Sequence, residues 1–207
     1  TQGELALLLH PDVPGGCDLH VIEMAGYAST PYRHAAWPPW VPPSTAIRSW
    51  ESAWCYPATV FCEGLPSLDC GRTGPLPFQV LGAPWMDGAA LVETFKHEPL
   101  PGVDLHHHLY HVDGELVEGV RLVVTDAARF LPVTTGLTIL ERLQRIHGPE
   151  PLWEHPSARP DFFDQLYGTD QVRIATRSGI PVAEQAEKWQ QERGSFLARR
   201  SECLLYP

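Results

Sequence analysis

The stretch "FQVLGAPWMDGAALVETFKHEPLPGVDLHHHLYHVDGELVEGVRLVVTD", residues 78–126, changes its apolar period several times along its length. "FQVLGAP" is short, apolar and bounded by proline, the pattern of a buried strand. "DGAALVETFKH" predicts a helix opened by Asp87, whose carboxylate suits an N-cap. "VDLHHHLYHV" and "EGVRLVVTD" predict two further strands. Downstream, Leu137, Leu140, Leu143 and Ile146 in "TTGLTILERLQRI" recur at helical spacing, with an N-cap expected at Thr134 or Thr135. Beyond Asp161 the chain predicts helices in "DFFDQLYG", in "TDQVRIATRSG" and from about Pro181 through Trp189 and Phe196. Strands and helices mixed in this way imply an α+β domain over residues 70–207.

Residues 1–69 differ in character. Thr1 followed by Glu4 forms a capping box ahead of an apolar run. "CDLHVIEM" (17–24) alternates as a strand does, so the opening resembles the last helix and strand of an α/β sheet whose remainder lies upstream. Between residues 25 and 60, Tyr27, Tyr32, Trp37, Trp40, Trp50, Trp54 and Tyr56 stand among many prolines. That composition predicts an extended, aromatic-rich connection without long regular elements.

Bulk composition excludes several functions. With 207 residues, 43% of them hydrophobic, the chain buries a full core. A formal charge of −10 opposes a nucleic-acid surface, which needs clustered Lys and Arg. No apolar run approaches the roughly 20 residues of a bilayer span. Five cysteines form no CxxC pair, so inert thiols are expected, with one disulfide among Cys55, Cys62 and Cys70 as the alternative in an oxidising space. Neither GxGxxG, a P-loop nor GxSxG occurs, and no cofactor is expected.

Two constellations remain. In "LHHHLYH", His106 and His108 share one strand face, while His107 and His111 share the other. A pair spaced i, i+2 is a start towards a zinc site, yet no spacing nominates a third ligand, so solvent-facing histidines and no metal are expected. In "YPATVFCEGLPSLDCGRTGPLPFQVLGAPW" (56–85), prolines and glycines hold Glu63, Asp69 and Arg72 in a shaped loop. Two carboxylates in one cleft divide into acid and base, as glycosidic cleavage requires, and an arginine grips an anion. The alternative is an Arg–carboxylate pair that staples the loop.

Taken in order, "WVPPS" (40–44), "YPATVFCEG" (56–64), "GRTGPLPFQVLGAPWMDG" (71–88), "LPGV" (100–103), "GVRLVVTD" (119–126), "PVTTGL" (132–137), "FDQLYGTDQVR" (163–173) and the final "LLYP" resemble the C-terminal two-thirds of NamZ-like exo-β-N-acetylmuramidases. The resemblance implies a bacterial glycoside hydrolase that releases terminal N-acetylmuramic acid from peptidoglycan fragments. It implies a Rossmann-like domain, of which residues 1–69 are the tail, packed on a smaller C-terminal domain across a cleft. Its substrate partner is a muropeptide or another saccharide containing N-acetylmuramic acid, in a periplasmic or extracellular setting. On this resemblance Glu63 is expected to take a supporting catalytic role, and Arg72, Tyr56, Trp40, Ser44, Asp69 and Trp85 are expected to bind substrate. The family's catalytic glutamate, in a Pro-Glu-His-Gly loop, is expected upstream of residue 1. Where that pattern has Glu-Gly-Thr-Asn, this chain has Glu63-Gly64-Leu65-Pro66. A non-catalytic carbohydrate-binding or interaction module is the alternative function, and self-association through an exposed sheet edge is expected.

Overall fold

The computed structural model describes residues 1–27 and 41–206. Its elements run α1 (Gln2–Leu9), α2 (Trp50–Thr59), β1 (Val80–Ala83), α3 (Gly88–Glu93), β2 (Val103–Val112), β3 (Glu115–Val124), α4 (Pro132–His147), α5 (Pro160–Tyr167), α6 (Gln171–Arg177) and α7 (Val182–Ser201). The result is a mixed α/β protein with a small sheet. It divides into two compact units, Thr1–Trp37 with Ala186–Pro207, and Pro38–Gln185. Asp69 and Cys70, between which the sequence suggested a boundary, both belong to the second unit.

In the first unit, Thr1 caps α1 and Glu4 completes the capping box. Glu4 Oε1 also accepts from Leu205 N at 3.0 Å. The strand expected at residues 17–24 is not formed: these residues pair with no strand among those described. Alternation alone does not make a strand, because the backbone groups need a neighbouring edge. Val21 instead lies against Gly3 of α1, where a Cβ would come within 2.6 Å of Val21 Cγ1. Met24 N donates to Tyr206 Oη at 2.9 Å.

The second unit is built on an antiparallel sheet in the order β1-β3-β2. Asp113 and Gly114, both at positive φ (50° and 90°), make the tight turn between β2 and β3, and Val112 pairs with Glu115 directly across it. Leu81 faces Val120 in the β1–β3 register, and Leu105 faces Leu122 in the β2–β3 register. Leu81, Val120 and Leu122 are buried on this sheet face, each contributing about 1.5–3 kcal/mol. On the other face lie Val80, Gly82, Gly119, Arg121, His106, His108 and Tyr110, as the period of two requires. β2 is an outer strand of the sheet.

Helix α4 buries Leu137, Ile139, Leu140 and Leu143 completely. Its N-cap is Leu131, three residues before the expected Thr134 and four before Thr135, because Pro132 at the first helical position needs no amide partner. Thr135 is buried inside the helix, its amide donating to Leu131 O at 2.8 Å. Helix α2 overturns the expectation that residues 25–60 lack a long element. Ser49 caps it by accepting from Ser52 N at 3.2 Å, and it continues through Pro57. Its small residues Ser52, Cys55 and Ala58 form a buried stripe that packs against α4. There the backbones nearly touch: a Cβ at Gly136 would stand 2.1 Å from Ala58 O. Tertiary contact thus outweighs the unfavourable local composition.

Candidate functional site

A 3-10 turn, Val60–Glu63, continues α2 and delivers Glu63 to the surface, while buried Phe61 and Cys62 anchor it from below. Arg72 arrives from the following loop, and its Nη1 stands 3.0 Å from Glu63 Oε1. The side chain of Glu63 is 25% exposed and that of Arg72 58%, so the guanidinium faces solvent while the carboxylate steadies it from behind. Asp69 does not join this pair. Its Oδ1 accepts from Gly71 N at 2.7 Å, and its backbone exchanges two hydrogen bonds with Gly82, of 2.8 and 3.0 Å. Gly71 has φ +66°, a turn that leaves no room for a side chain, since a Cβ would stand 2.4 Å from Val80 Cγ2. Gly74 N returns to Gly71 O at 2.9 Å, and Arg48 Nη2 donates to Gly74 O at 2.7 Å. The shaped loop foreseen in the sequence is therefore held at each bend by hydrogen bonds.

The aromatic residues nominated as sugar-binding have internal partners. Tyr56 meets Phe78 edge to face, with centroids 4.8 Å apart. Phe78 holds a left-handed conformation, φ 62°, and is buried, with its carbonyl accepting from Thr59 Oγ1 at 2.9 Å. Burial of the ring offsets the roughly 1–2 kcal/mol that this conformation costs. Trp85 Nε1 donates to Ser67 O at 3.2 Å, and its ring meets His147 edge to face at 5.2 Å. Ser44 Oγ accepts from Ile47 N at 3.1 Å. Trp40 lies outside the described residues. The structure thus brings Glu63 and Arg72 together and ties Tyr56, Trp85 and Ser44 into their own surroundings.

The histidine strand separates as its alternation requires. His107 Nε2 stands 3.0 Å from Glu118 Oε1 on one face, while His108 lies almost parallel to Tyr110 on the other, at 5.8 Å and 21°. Among the described residues no group of three His, Cys, Asp or Glu side chains is placed to hold a metal ion. Burial lowers the His108 pKa below its ordinary value, with Arg121 and His107 adding to the effect. Burial, with Asp69 nearby, raises that of Tyr110, whose hydroxyl donates to Asp69 O at 3.3 Å. Cys55, Cys62 and Cys70 are buried free thiols, and burial pushes Cys55 up to about 12.

Sequence reasoning did not single out the groove between the Gly71–Leu76 loop and the β2–β3 hairpin, lined by Asp69, Thr73, Leu76, His108, Tyr110 and Asp113 among others. Strand parity put His108 with His106, and the same parity extended to Tyr110 was the available signal. The approach of the loop depends on tertiary packing.

Comparison with known proteins gives this arrangement a context. The family described as "Exo-beta-N-acetylmuramidase NamZ, C-terminal" matches residues 54–206, which include α2, the Glu63–Arg72 loop and the entire sheet. The peptidoglycan β-N-acetylmuramidase NamZ of Bacillus subtilis is 29% identical over 211 residues, covering 100% of this chain and 50% of that protein. Two crystal structures of DUF1343 family proteins from Bacteroides fragilis superpose with TM-scores of 0.89 and 0.67, at 22% and 25% identity, each covering 99% of this chain. They are covered to 56% and 54% of their own lengths, so the chain spans about half of the relatives it matches. A family match over most of the chain, including the loop that pairs Glu63 with Arg72, shows that this protein belongs to the NamZ C-terminal family.

Proposed function

We infer that this chain is part of a glycoside hydrolase that removes terminal N-acetylmuramic acid from peptidoglycan fragments, and that it supplies one wall of an interdomain cleft. The observation that carries this reading is the alignment of the entire chain to half of the Bacillus subtilis enzyme, with the family match at 54–206. In this reading residues 1–69 contribute the tail of a Rossmann-like domain, and an upstream glutamate supplies the principal acid/base group.

Arg72 binds the lactyl carboxylate that distinguishes muramic acid from other hexosamines. Its solvent-facing guanidinium supports this role, since a planar fork pairs well with a carboxylate. Glu63 orients Arg72 and keeps a charged group beside the scissile sugar, a supporting role and not that of principal acid. Asp69 shapes the loop, and Tyr56, Trp85 and Ser44 act from the positions their internal partners fix, as further substrate contacts.

The engagement of Glu63 with Arg72 favours one alternative, a saccharide-binding module without chemistry of its own. Hydrolysis of a chromogenic β-N-acetylmuramide separates the two, assayed on this chain and on a polypeptide extended upstream. Turnover by the extended form alone is the expected result. Turnover by neither, with muramic-acid binding retained, establishes the binding module, and muramic-acid affinity unchanged in Arg72→Ala removes Arg72 from the site.

A further inference from the structure

On one face of the β2–β3 hairpin, His108 and Tyr110 set two nearly parallel rings beside each other, outside the Glu63–Arg72 pair. Tyr110 lies across Gly82, where a Cβ would stand 2.9 Å from the ring and from the hydroxyl oxygen. Only a residue without a side chain at 82 lets the ring settle onto the sheet. Its hydroxyl is tied to Asp69 O at 3.3 Å, which fixes the ring in place before any ligand arrives. His108, two residues earlier on the same face, extends the surface, 5.8 Å away and tilted by 21°. Leu76 and Val80 add apolar contact, and Thr73 and Asp113 add polar groups to the lining.

Size and charge narrow the occupant. The groove holds about 60 Å³, several times the roughly 10–15 Å³ that one water needs on the same measure, so it admits an edge or a substituent of a sugar ring and leaves the rest outside. Of the described residues that line it none is Lys or Arg, whereas Asp69 and Asp113 are both present. Two histidines, His108 and His111, also line it, and burial lowers the His108 pKa, which disfavours a positive charge there. A carboxylate is repelled here, while hydroxyl and amide groups find acceptors and an apolar ring face finds an aromatic one.

We propose that this groove is a subsite for an uncharged N-acetylhexosamine, with Tyr110 and His108 forming the stacking surface and Thr73 and Asp113 binding its polar groups. The inference rests on the glycosidase reading and divides recognition between two places, the anionic sugar at Arg72 and a neutral neighbour in the groove.

Ligand-observed NMR titration of the 207-residue chain with N-acetylglucosamine and, separately, with N-acetylmuramic acid tests the division. Saturable N-acetylglucosamine binding, weakened about fivefold in His108→Ala, is expected, since an aromatic stacking contact contributes about 1 kcal/mol. Thr73→Val, at an exposed position of the opposite wall, weakens it as well and serves if His108→Ala does not fold. Arg199→Ala, in the other compact unit, leaves it unchanged. Absence of saturable N-acetylglucosamine binding, or wild-type affinity in folded His108→Ala and Thr73→Val, overturns the subsite. If muramic-acid binding is still lost in Arg72→Ala, the glycosidase reading survives that failure. Groove-dependent N-acetylglucosamine binding in a chain whose extended form hydrolyses nothing leaves the subsite standing and removes the enzyme.

Discussion

Arg72 and Glu63 form the one charged contact shared by the structural and functional readings, and their exposure sets its energetic scale. A pair 58% and 25% exposed is solvent-screened, and such pairs contribute about 0–1 kcal/mol. Arg72→Ala is therefore expected to shift the urea unfolding midpoint only slightly while abolishing muramic-acid binding; a large loss of stability instead identifies a staple. His108 gives a second test at this scale. Its folded pKa lies below the ordinary 6.5, so the folded state binds fewer protons than the unfolded one below that value. The neutral imidazole contributes full stability above pH 6.5, and that contribution is lost as pH falls towards the folded pKa. The groups that shift it besides burial are Arg121 and His107, both of which disfavour a second positive charge. Melting temperature is expected to fall on acidification below about pH 6.5 and to fall less in His108→Ala.

At the scale of elements, the α2–α4 contact holds the site loop in place, because the 3-10 turn bearing Glu63 continues directly from α2. With Gly136 against Ala58 O, even one methyl group forces the helices apart. Gly136→Ala is expected to destabilise the protein by about 1–3 kcal/mol in chemical denaturation, well beyond the small gain that alanine brings to a free helix. The C-terminal half of α4 is fastened differently. Trp153 Nε1 donates to Gln144 Oε1 at 2.8 Å, and Gln144 Nε2 donates to Thr176 O at 3.2 Å. Gln144→Leu leaves the buried indole N–H without its acceptor and is expected to cost about 1–3 kcal/mol, measured in the same way.

Across the whole molecule, the distribution of thiols offers a probe of both units. Cys17 is exposed and Cys203 half-buried in the first; Cys55, Cys62 and Cys70 are buried in the second. Burial raises the pKa of Cys55 to about 12 and that of Cys62 well above its usual range, so neither supplies thiolate at neutral pH. A chromogenic disulfide reagent is expected to titrate Cys17 quickly and Cys203 more slowly, and to reach the other three only after denaturation. Rapid reaction of all five in the native protein contradicts the core described for the second unit.

The strands β1, β2 and β3, the Asp87-capped helix and the amphipathic face of α4 were legible in the sequence, since each rests on a periodicity that local stereochemistry imposes. Glu63, Asp69 and Arg72 were legible as a loop of charges because proline and glycine restrict the backbone locally. Three other features were settled by tertiary contact. Residues 17–24 alternate like a strand yet have no partner edge among the described residues, whereas residues 50–59 form a helix despite Pro57 because α4 covers their small-residue stripe. Glu63 pairs with Arg72 while Asp69 turns back to Gly71, a choice between two nearby carboxylates that spacing leaves open. Tyr110 meets Gly82 and Asp69 only when β1 and β2 flank β3, a juxtaposition of residues up to 41 apart in sequence that no local pattern encodes.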